Sequence, residues 1–484
     1  MNWIDAVVFG TYLAAMIGVG VWFLRRNEGG DDYYVAGRKM GSLHIGMSVV
    51  ATDVGGGFSI GLGGLGFAMG LTGSWMLFTG LLGAWLSAVF LIPRIKRDPA
   101  FDTALTFPQV FEKFFGRRTA FVAGIISAIG YVGFTAAQIL AGAKLANGTF
   151  PMMSLHTALY VMGGVAVGYT VLGGLKAVIY TDTIQWAVLL IGLTFAGIPI
   201  ALNAVGGWEG LQATVRPELL TLTNVEWNTL VNWAVTIVPI WFVGMTLYQR
   251  IYACRDEKTA KRAWYVAGVL EWPLMAFLGV TLGLIARAAA DQGMFAHLGM
   301  DAIADVDPET GLPLLLRTVL PAGAMGLVLS AYFSAILSTA DSCLMACSGN
   351  VISDILGRKH EEKTFLRDAQ IITLVLGVAA ILLASQMTSV LDLMLLSYAF
   401  MVSGLFVPIL AILLPVPCHG GAATSAILVG GTVTASLVTL GWSLPLGLDA
   451  NLFGIAASAI TYTGVTAGAR AAAGTAPNRE GGAG

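Results

Sequence analysis

Charge is what this sequence has least of. Only 11% of its 484 residues are Asp, Glu, Lys or Arg, against 56% hydrophobic, and the mean hydropathy is +0.78. A soluble globular domain carries about 25% charged residues, so a polytopic, all-α membrane protein is expected rather than a soluble body on an anchor. Cysteine is scarce too. The four residues are too few and too scattered for a disulfide framework. Cys254 and Cys418 fall in connections expected on the cytoplasmic side. Cys343 and Cys347, spaced i,i+4, have no histidine or third thiol near them and read as packing residues, not ligands of a soft metal. The five histidines do not cluster, and HExxH, GxxxxGK[ST] and a nucleophile elbow are missing, which argues against an enzyme. The N-terminus has no basic n-region and no clear small-residue cleavage site, so it does not read as a cleavable signal peptide. No kinase or nucleotide-binding segment follows the last apolar run, which argues against a sensor with a catalytic tail. A net charge of −2 points to no nucleic-acid partner.

What the chain does have is long apolar runs. Thirteen segments of helix-spanning length lie near 3–23, 42–70, 73–93, 118–147, 153–173, 177–203, 229–248, 264–288, 321–355, 366–386, 389–414, 421–441 and 449–468. With the N-terminus outside, 22 of the 26 Lys and Arg fall on the inner side, Arg25, Arg26, Lys176, Arg250, Lys359, Lys363 and Arg479 among them. Only Lys144, Arg216, Arg287 and Arg317 fall outside or at outer helix ends. That asymmetry predicts N-out, C-in topology in the lipid bilayer. Residues 1–468 read as one transporter domain, and the Ala/Gly-rich stretch 469–484 as a disordered cytoplasmic tail. The connections 204–228 and 289–320 are amphipathic and are expected to hold short interfacial helices.

Two segments carry interruptions. The run Ser48–Gly61 reads SVVATDVGGGFSIG and sets Asp53 before Gly55, Gly56 and Gly57. A carboxylate near mid-bilayer costs about 2.5–3.5 kcal/mol on insertion scales. Three glycines invite unwinding, which survives at that depth only where it lines a cavity or is buried in protein. Five spans later VPIWFVGM (Val238–Met245) is interrupted by Pro239 and Gly244. A matched pair of broken helices points to an inverted repeat with its site at the midplane. In Ala331–Asn350, Ser334, Ser338, Asp341 and Ser342 share a helix face, with Thr339 beside them. Hydroxyls and a carboxylate are hard oxygen ligands that suit an alkali cation. Asp182 reads as a ligand or a helix cap. Glu271, beside Pro273, reads as a proton-linked group or, preferably, a paired packing residue.

Together DDYYVAGRKMG (Asp31–Gly41), the ATDVGGG break, GGLKAVIYTDTIQ (Gly173–Gln185) and FSAILSTADSC resemble the sodium:solute symporter family, in the family's order and over essentially the whole chain. The resemblance implies a LeuT-type 5+5 inverted-repeat core with one extra first helix and two extra last ones. It also implies sodium-coupled import of a small organic solute across the plasma (inner) membrane. The family's main sodium site falls on the carbonyls of Ala51, Val54 and Ala335 and the hydroxyls of Ser338 and Thr339. A second sodium site, present in some members, falls on Asp182, Asp341 and Ser342.

The substrate is less defined. The VGGG run is similar to the choline-transporter branch, but Asp53 stands where that branch has tryptophan, and Thr135 and Gly244 stand where its aromatic cage is expected, so choline does not fit. Proline-transporter members share the aspartate, yet TLYQRIYACRD replaces their GYFGQPH-like motif. An amino acid or another zwitterionic or cationic amine is favoured. Asp53 has three readings: it tunes or ligates sodium, it pairs with a substrate amine, or it caps the break. Gly55, Gly56, Tyr131, Gln138, Trp241 and Phe242 are candidate pocket residues beside it, with core packing the alternative for the side chains. A proton carried by Asp53, Asp182 or Glu271 is the alternative to sodium, and a channel or substrate sensor the alternative to a symporter.

Overall fold

The computed structural model describes residues 3–24, 34–150, 153–358 and 364–474. Among them there is no strand, only an isolated bridge between Met40 and Cys254. The described α-helices are α1 (Trp3–Leu24), α2 (Ser42–Met69), α3 (Trp75–Lys96), α4 (Pro108–Phe115), α5 (Arg117–Thr149), α6 (Leu155–Gly192), α7 (Ile198–Ala204), α8 (Gly207–Thr214) and α9 (Trp227–Val243). They continue as α10 (Met245–Ala253), α11 (Glu257–Val269), α12 (Phe277–Asp291), α13 (Pro308–Val319), α14 (Ala324–Gly349), α15 (Phe365–Ala384), α16 (Val390–Leu413), α17 (Gly420–Leu440) and α18 (Ala450–Gly474).

Among the described residues nine helices are long and apolar enough to cross a membrane, or up to eleven if each bent pair is one span. Thirteen were expected. The difference has local origins: α1 qualifies only over Trp3–Met16, and the expected spans 42–70 and 73–93 qualify only as one stretch, Ile60–Lys96; separately, α6 runs over Leu155–Gly192, across the junction expected near 174–176. Short helices do occupy both long connections, α8 in the first and α13 in the second. Helix α18 continues to Gly474, into the stretch read as a tail, and 475–484 lie outside the described residues. So do Asp31–Tyr33 of the first motif and the basic residues Arg25, Arg26, Lys359, Lys363 and Arg479.

Helix α14 is the centre of the molecule: 89% of its apolar window is buried, against 22% for α15 and for α18, which therefore face outward. It packs on α2, α5 and α6. Its N-terminal amides, which have no partner within the helix, are met by α1: Gly323 and Gly326 donate to Asp5 Oδ1 at 2.7 and 2.8 Å. Helix α2 lies against α14 and, on its other side, against α11, α12 and α13. Glycines let α2 and α12 approach closely. A methyl group on Gly66 would fall 2.2 Å from the Val280 carbonyl, and one on Gly283 2.0 Å from that of Gly63.

Both expected interruptions are present. Gly55 takes φ 42°, ψ −168°, a region essentially open to glycine alone. Gly244 is extended (φ −67°, ψ 112°) and separates α9 from α10 with a bend of 42°. A third irregularity was not expected: between α11 and α12 the turn Leu270–Ala276, which carries Glu271 and Pro273, is π-helical.

Candidate ion and solute site

The break in α2 brings backbone carbonyls into contact with the hydroxyl face of α14. Thr339 Oγ1 donates to the Ala51 carbonyl at 2.6 Å and lies 3.1 Å from the Ala335 carbonyl, which Ser338 Oγ also approaches at 3.2 Å. The contact is close because α2 has no side chain there. A methyl on Gly55 would stand 2.3 Å from Thr339 Oγ1, and one on Gly56 1.7 Å from Ile336 Cγ1. Ala51, Ala335, Ser338 and Thr339 thus meet at one point, and Val54 immediately precedes the kinked glycine. All five are buried. These are neutral hard oxygens, the donor type that suits an alkali ion.

One turn further along α14, Asp341 Oδ1 accepts from Thr170 Oγ1 of α6 at 2.5 Å. Asp182 Oδ2 accepts from Ser48 Oγ of α2 at 2.6 Å. Ser342 Oγ takes Arg250 Nη2 at 2.6 Å and Thr52 Oγ1 at 3.3 Å. Arg250 has a role that the sequence reading did not give it. Counted there among the inner-side basic residues that mark cytoplasmic ends, it is fully buried. It reaches the Thr246 carbonyl at 3.4 Å and Ser48 Oγ from Nε and Nη2 at 3.3 and 3.2 Å. Ser48 therefore stands between the guanidinium and Asp182. A basic residue six positions after the Gly244 interruption reads as a membrane boundary. Only the bend at Gly244 turns α10 so that Arg250 ends against α2 and α14.

Asp53 is buried and faces away from this cluster. Its Oδ1 accepts from Tyr398 Oη of α16 at 3.3 Å, and Glu271 is its acidic neighbour. Tyr398 and the Glu271 partnership were not anticipated. The acid had been noted, but a spacing of more than 200 residues gave no signal of the pairing. Tyr398 stacks on Phe134 of α5 with ring centroids 4.7 Å apart. One turn before Phe134, Tyr131 places its hydroxyl at the second break, accepting from Thr246 N at 3.2 Å and lying 3.1 Å from Thr246 Oγ1. Tyr131 and Asp53 thus come into one neighbourhood with both breaks. Gln138 lies two turns along α5 from Tyr131 and is fully buried. Trp241 occupies a notch left by Gly83, where a methyl would fall 2.3 Å from its Cδ1, and meets Trp264 edge-on at 6.4 Å. Phe242 packs on Phe406 at 6.0 Å.

The sodium:solute symporter family profile matches residues 33–430. The high-affinity proline transporter of Bacillus subtilis is 26% identical over 382 residues, 76% of this chain and 78% of that one. The sodium/glucose cotransporter of Vibrio parahaemolyticus is 28% identical over 386 residues, 73% of this chain and 69% of that one. Among solved structures, a sodium-coupled sialic acid symporter in a substrate-bound outward-open state aligns with a TM-score of 0.80 at 22% identity, over 97% of this chain and 98% of that chain. A nucleobase-cation-symport-1 family transporter in a closed conformation aligns at 0.59 and 14%, over 93% and 96%. These two likenesses are of fold, and the fold is the LeuT-type arrangement. With the family profile covering most of its length, the chain belongs to the sodium:solute symporter family.

Proposed function

We propose that the protein imports an amine-bearing solute together with sodium by alternating access. Sodium is held by the carbonyls of Ala51, Val54 and Ala335 and the hydroxyls of Ser338 and Thr339, and the solute lies beside the two breaks. The observation that supports this most directly is the 2.6 Å bond from Thr339 to the Ala51 carbonyl, which ties the interrupted helix α2 to α14 through neutral oxygens. An ion inserted there draws α2 and α14 together, and its departure releases them. The thirteen-span, N-out and C-in topology puts the Arg250 end of this assembly toward the cytoplasm. Asp182, Asp341 and Ser342 are the candidate second sodium position, where an added ion would join the fixed charge of Arg250. The solute's neighbours are Asp53, the bare backbone of Gly55 and Gly56, Tyr131, Gln138, Trp241 and Phe242. The named relatives carry proline and glucose in their names, and both compounds belong in the first substrate screen.

The test is the double variant Ser338→Ala with Thr339→Ala. Removing two of five ligands is expected to raise the sodium concentration for half-maximal uptake, or for half-maximal thermal stabilisation of the purified protein, at least tenfold. An unchanged sodium dependence would sink the assignment. Stabilisation that follows pH and ignores sodium would favour proton coupling.

A further inference from the structure

We propose that the paired feet of α5 and α17 bind an anionic glycerophospholipid, its phosphate held by Arg117 and Arg118 and one acyl chain laid along the seam between the two helices. In the N-out, C-in orientation of the proposed importer that lipid comes from the inner leaflet. Binding itself does not depend on the transport reading.

The phosphate would enter a recess of about 450 Å³ between the start of α5 (Arg117, Arg118, Thr119) and the start of α17 (Gly421, Thr424, Ser425). At its floor Thr119 Oγ1 lies 3.2 Å from the Gly420 carbonyl and 2.8 Å from Thr424 Oγ1, which ties the two helices together. Among the described residues no acid lines the recess. Other basic side chains at this end of the molecule are matched: Arg97 and Lys261 pair with Glu257, and Lys113 with Asp98. Among the described residues Arg118 has no acid in ion-pair reach, and Arg117 has only Glu112, at 4.0 Å. Guanidinium forks match phosphate oxygens bidentately, and basic pockets between membrane helices on the cytoplasmic side suit lipid phosphates. Both helices begin here, so their first amides add donors of the same sign.

The surface above the recess favours a lipid over a soluble phosphate. Phe121, one turn into α5, is 42% exposed, and Leu428, two turns into α17, is 49% exposed. On α5 the outward row continues through Ile125 to Ile129 at i,i+4 spacing. Ile129 stands about 17 Å along the axis from Arg118 at 1.5 Å per residue. Half of a bilayer core is about 15 Å. The row is therefore about as long as an inner-leaflet acyl chain is deep. It ends at a cleft of about 290 Å³ among α5, α15, α16 and α17, lined by Ile129, Gly130, Leu383, Leu396, Phe400 and Val438. Charge at the foot and an apolar track above it match the two halves of one anionic lipid.

The experiment uses the full-length protein, purified in detergent and stripped of lipid. Its thermal midpoint is read as phosphatidylglycerol, phosphatidylcholine or glycerol 3-phosphate is added. Phosphatidylglycerol is expected to stabilise at a lower mole fraction than phosphatidylcholine. The double variant R117Q/R118Q is expected to need about tenfold more of it for the half-maximal effect. R255Q, which removes an exposed arginine outside the recess, is expected to respond as the wild type does. Phosphatidylcholine as effective as phosphatidylglycerol overturns the site, as does a wild-type response in R117Q/R118Q. An equal loss in R255Q would assign the effect to surface charge at large and overturns it too. Glycerol 3-phosphate acting as well as the lipid would make this a soluble-anion site. If R117Q/R118Q does not fold, the wild-type comparison decides together with F121S/L428S, which is expected to weaken the phosphatidylglycerol effect alone. Stabilisation by sodium is a separate readout on each protein, so failure of the sodium assignment leaves the lipid result standing.

Discussion

At the scale of single residues, the side chains that could be read from the sequence are those whose chemistry clashes with an apolar run. Asp53 declared itself because a carboxylate among Val, Ala and Gly is costly without a purpose. The hydroxyls of Ser338 and Thr339 declared themselves by density on one helix face. Tyr398 and Arg250 did not, because a tyrosine in an apolar span and an arginine near a helix end are ordinary in membrane proteins. Glu271 was read as a paired acid without its partner being named, since pairing across helices leaves no local pattern. Gly55 makes a testable case. Its backbone conformation is strained for any other residue by about 1–3 kcal/mol. A methyl there would also stand 2.3 Å from Thr339 Oγ1. Gly55→Ala is therefore expected to lower thermal stability and to blunt stabilisation by sodium, because Thr339 must withdraw from α2. A melting curve with the wild-type midpoint and sodium response would show that the break does not depend on glycine.

At the scale of elements, broken spans are legible because glycine and proline act locally on backbone geometry. Packing partners are not, and the outer rim shows why. Lys144, near the end of α5, is buried although charged, and its Nζ donates to Asp307 Oδ2 and Glu309 Oε2, each at 2.6 Å. Glu309, on α13, also accepts from the amides of Val390 and Leu391 at 3.0 and 2.9 Å, the first turn of α16. One carboxylate thus joins α5, α13 and α16 and caps the last of them. It packs against α2 as well, where a methyl on Gly64 would fall 3.1 Å from Glu309 Cγ. From the sequence Lys144 was merely one of four basic residues off the inner side. Lys144→Met leaves Glu309 buried without its counter-charge, and breaking such a pair costs about 3 kcal/mol or more. The variant is expected to unfold at clearly lower temperature than the wild type in detergent, with Lys144→Arg intermediate. Equal midpoints for wild type and Lys144→Met would show that α13 and α16 hold together without this link.

At the scale of the whole molecule, the coupling of sodium to solute sets what the transporter can accumulate, and this separates a cationic solute from a neutral or zwitterionic one. Each positive charge moved inward through 100 mV gains about 2.3 kcal/mol, which is about a fiftyfold concentration ratio at 1.4 kcal/mol per decade. Each sodium ion moving down a tenfold gradient adds about tenfold more. With n sodium ions and solute charge z, accumulation rises with the n-th power of the sodium ratio, but with n + z charges through the potential. One ion with a neutral solute supports about 500-fold accumulation under these conditions, and one ion with a monovalent cation about 25,000-fold. The two dependences can be separated in proteoliposomes by setting the sodium ratio with the internal and external buffers and the potential with a potassium diffusion gradient. The stoichiometry n, which depends on whether a second ion joins Arg250 at Ser342, is the slope against sodium. The potential slope is expected to exceed it by one charge for an amine-bearing solute of net charge +1. Equal slopes would mean that the solute crosses as a neutral or zwitterionic species.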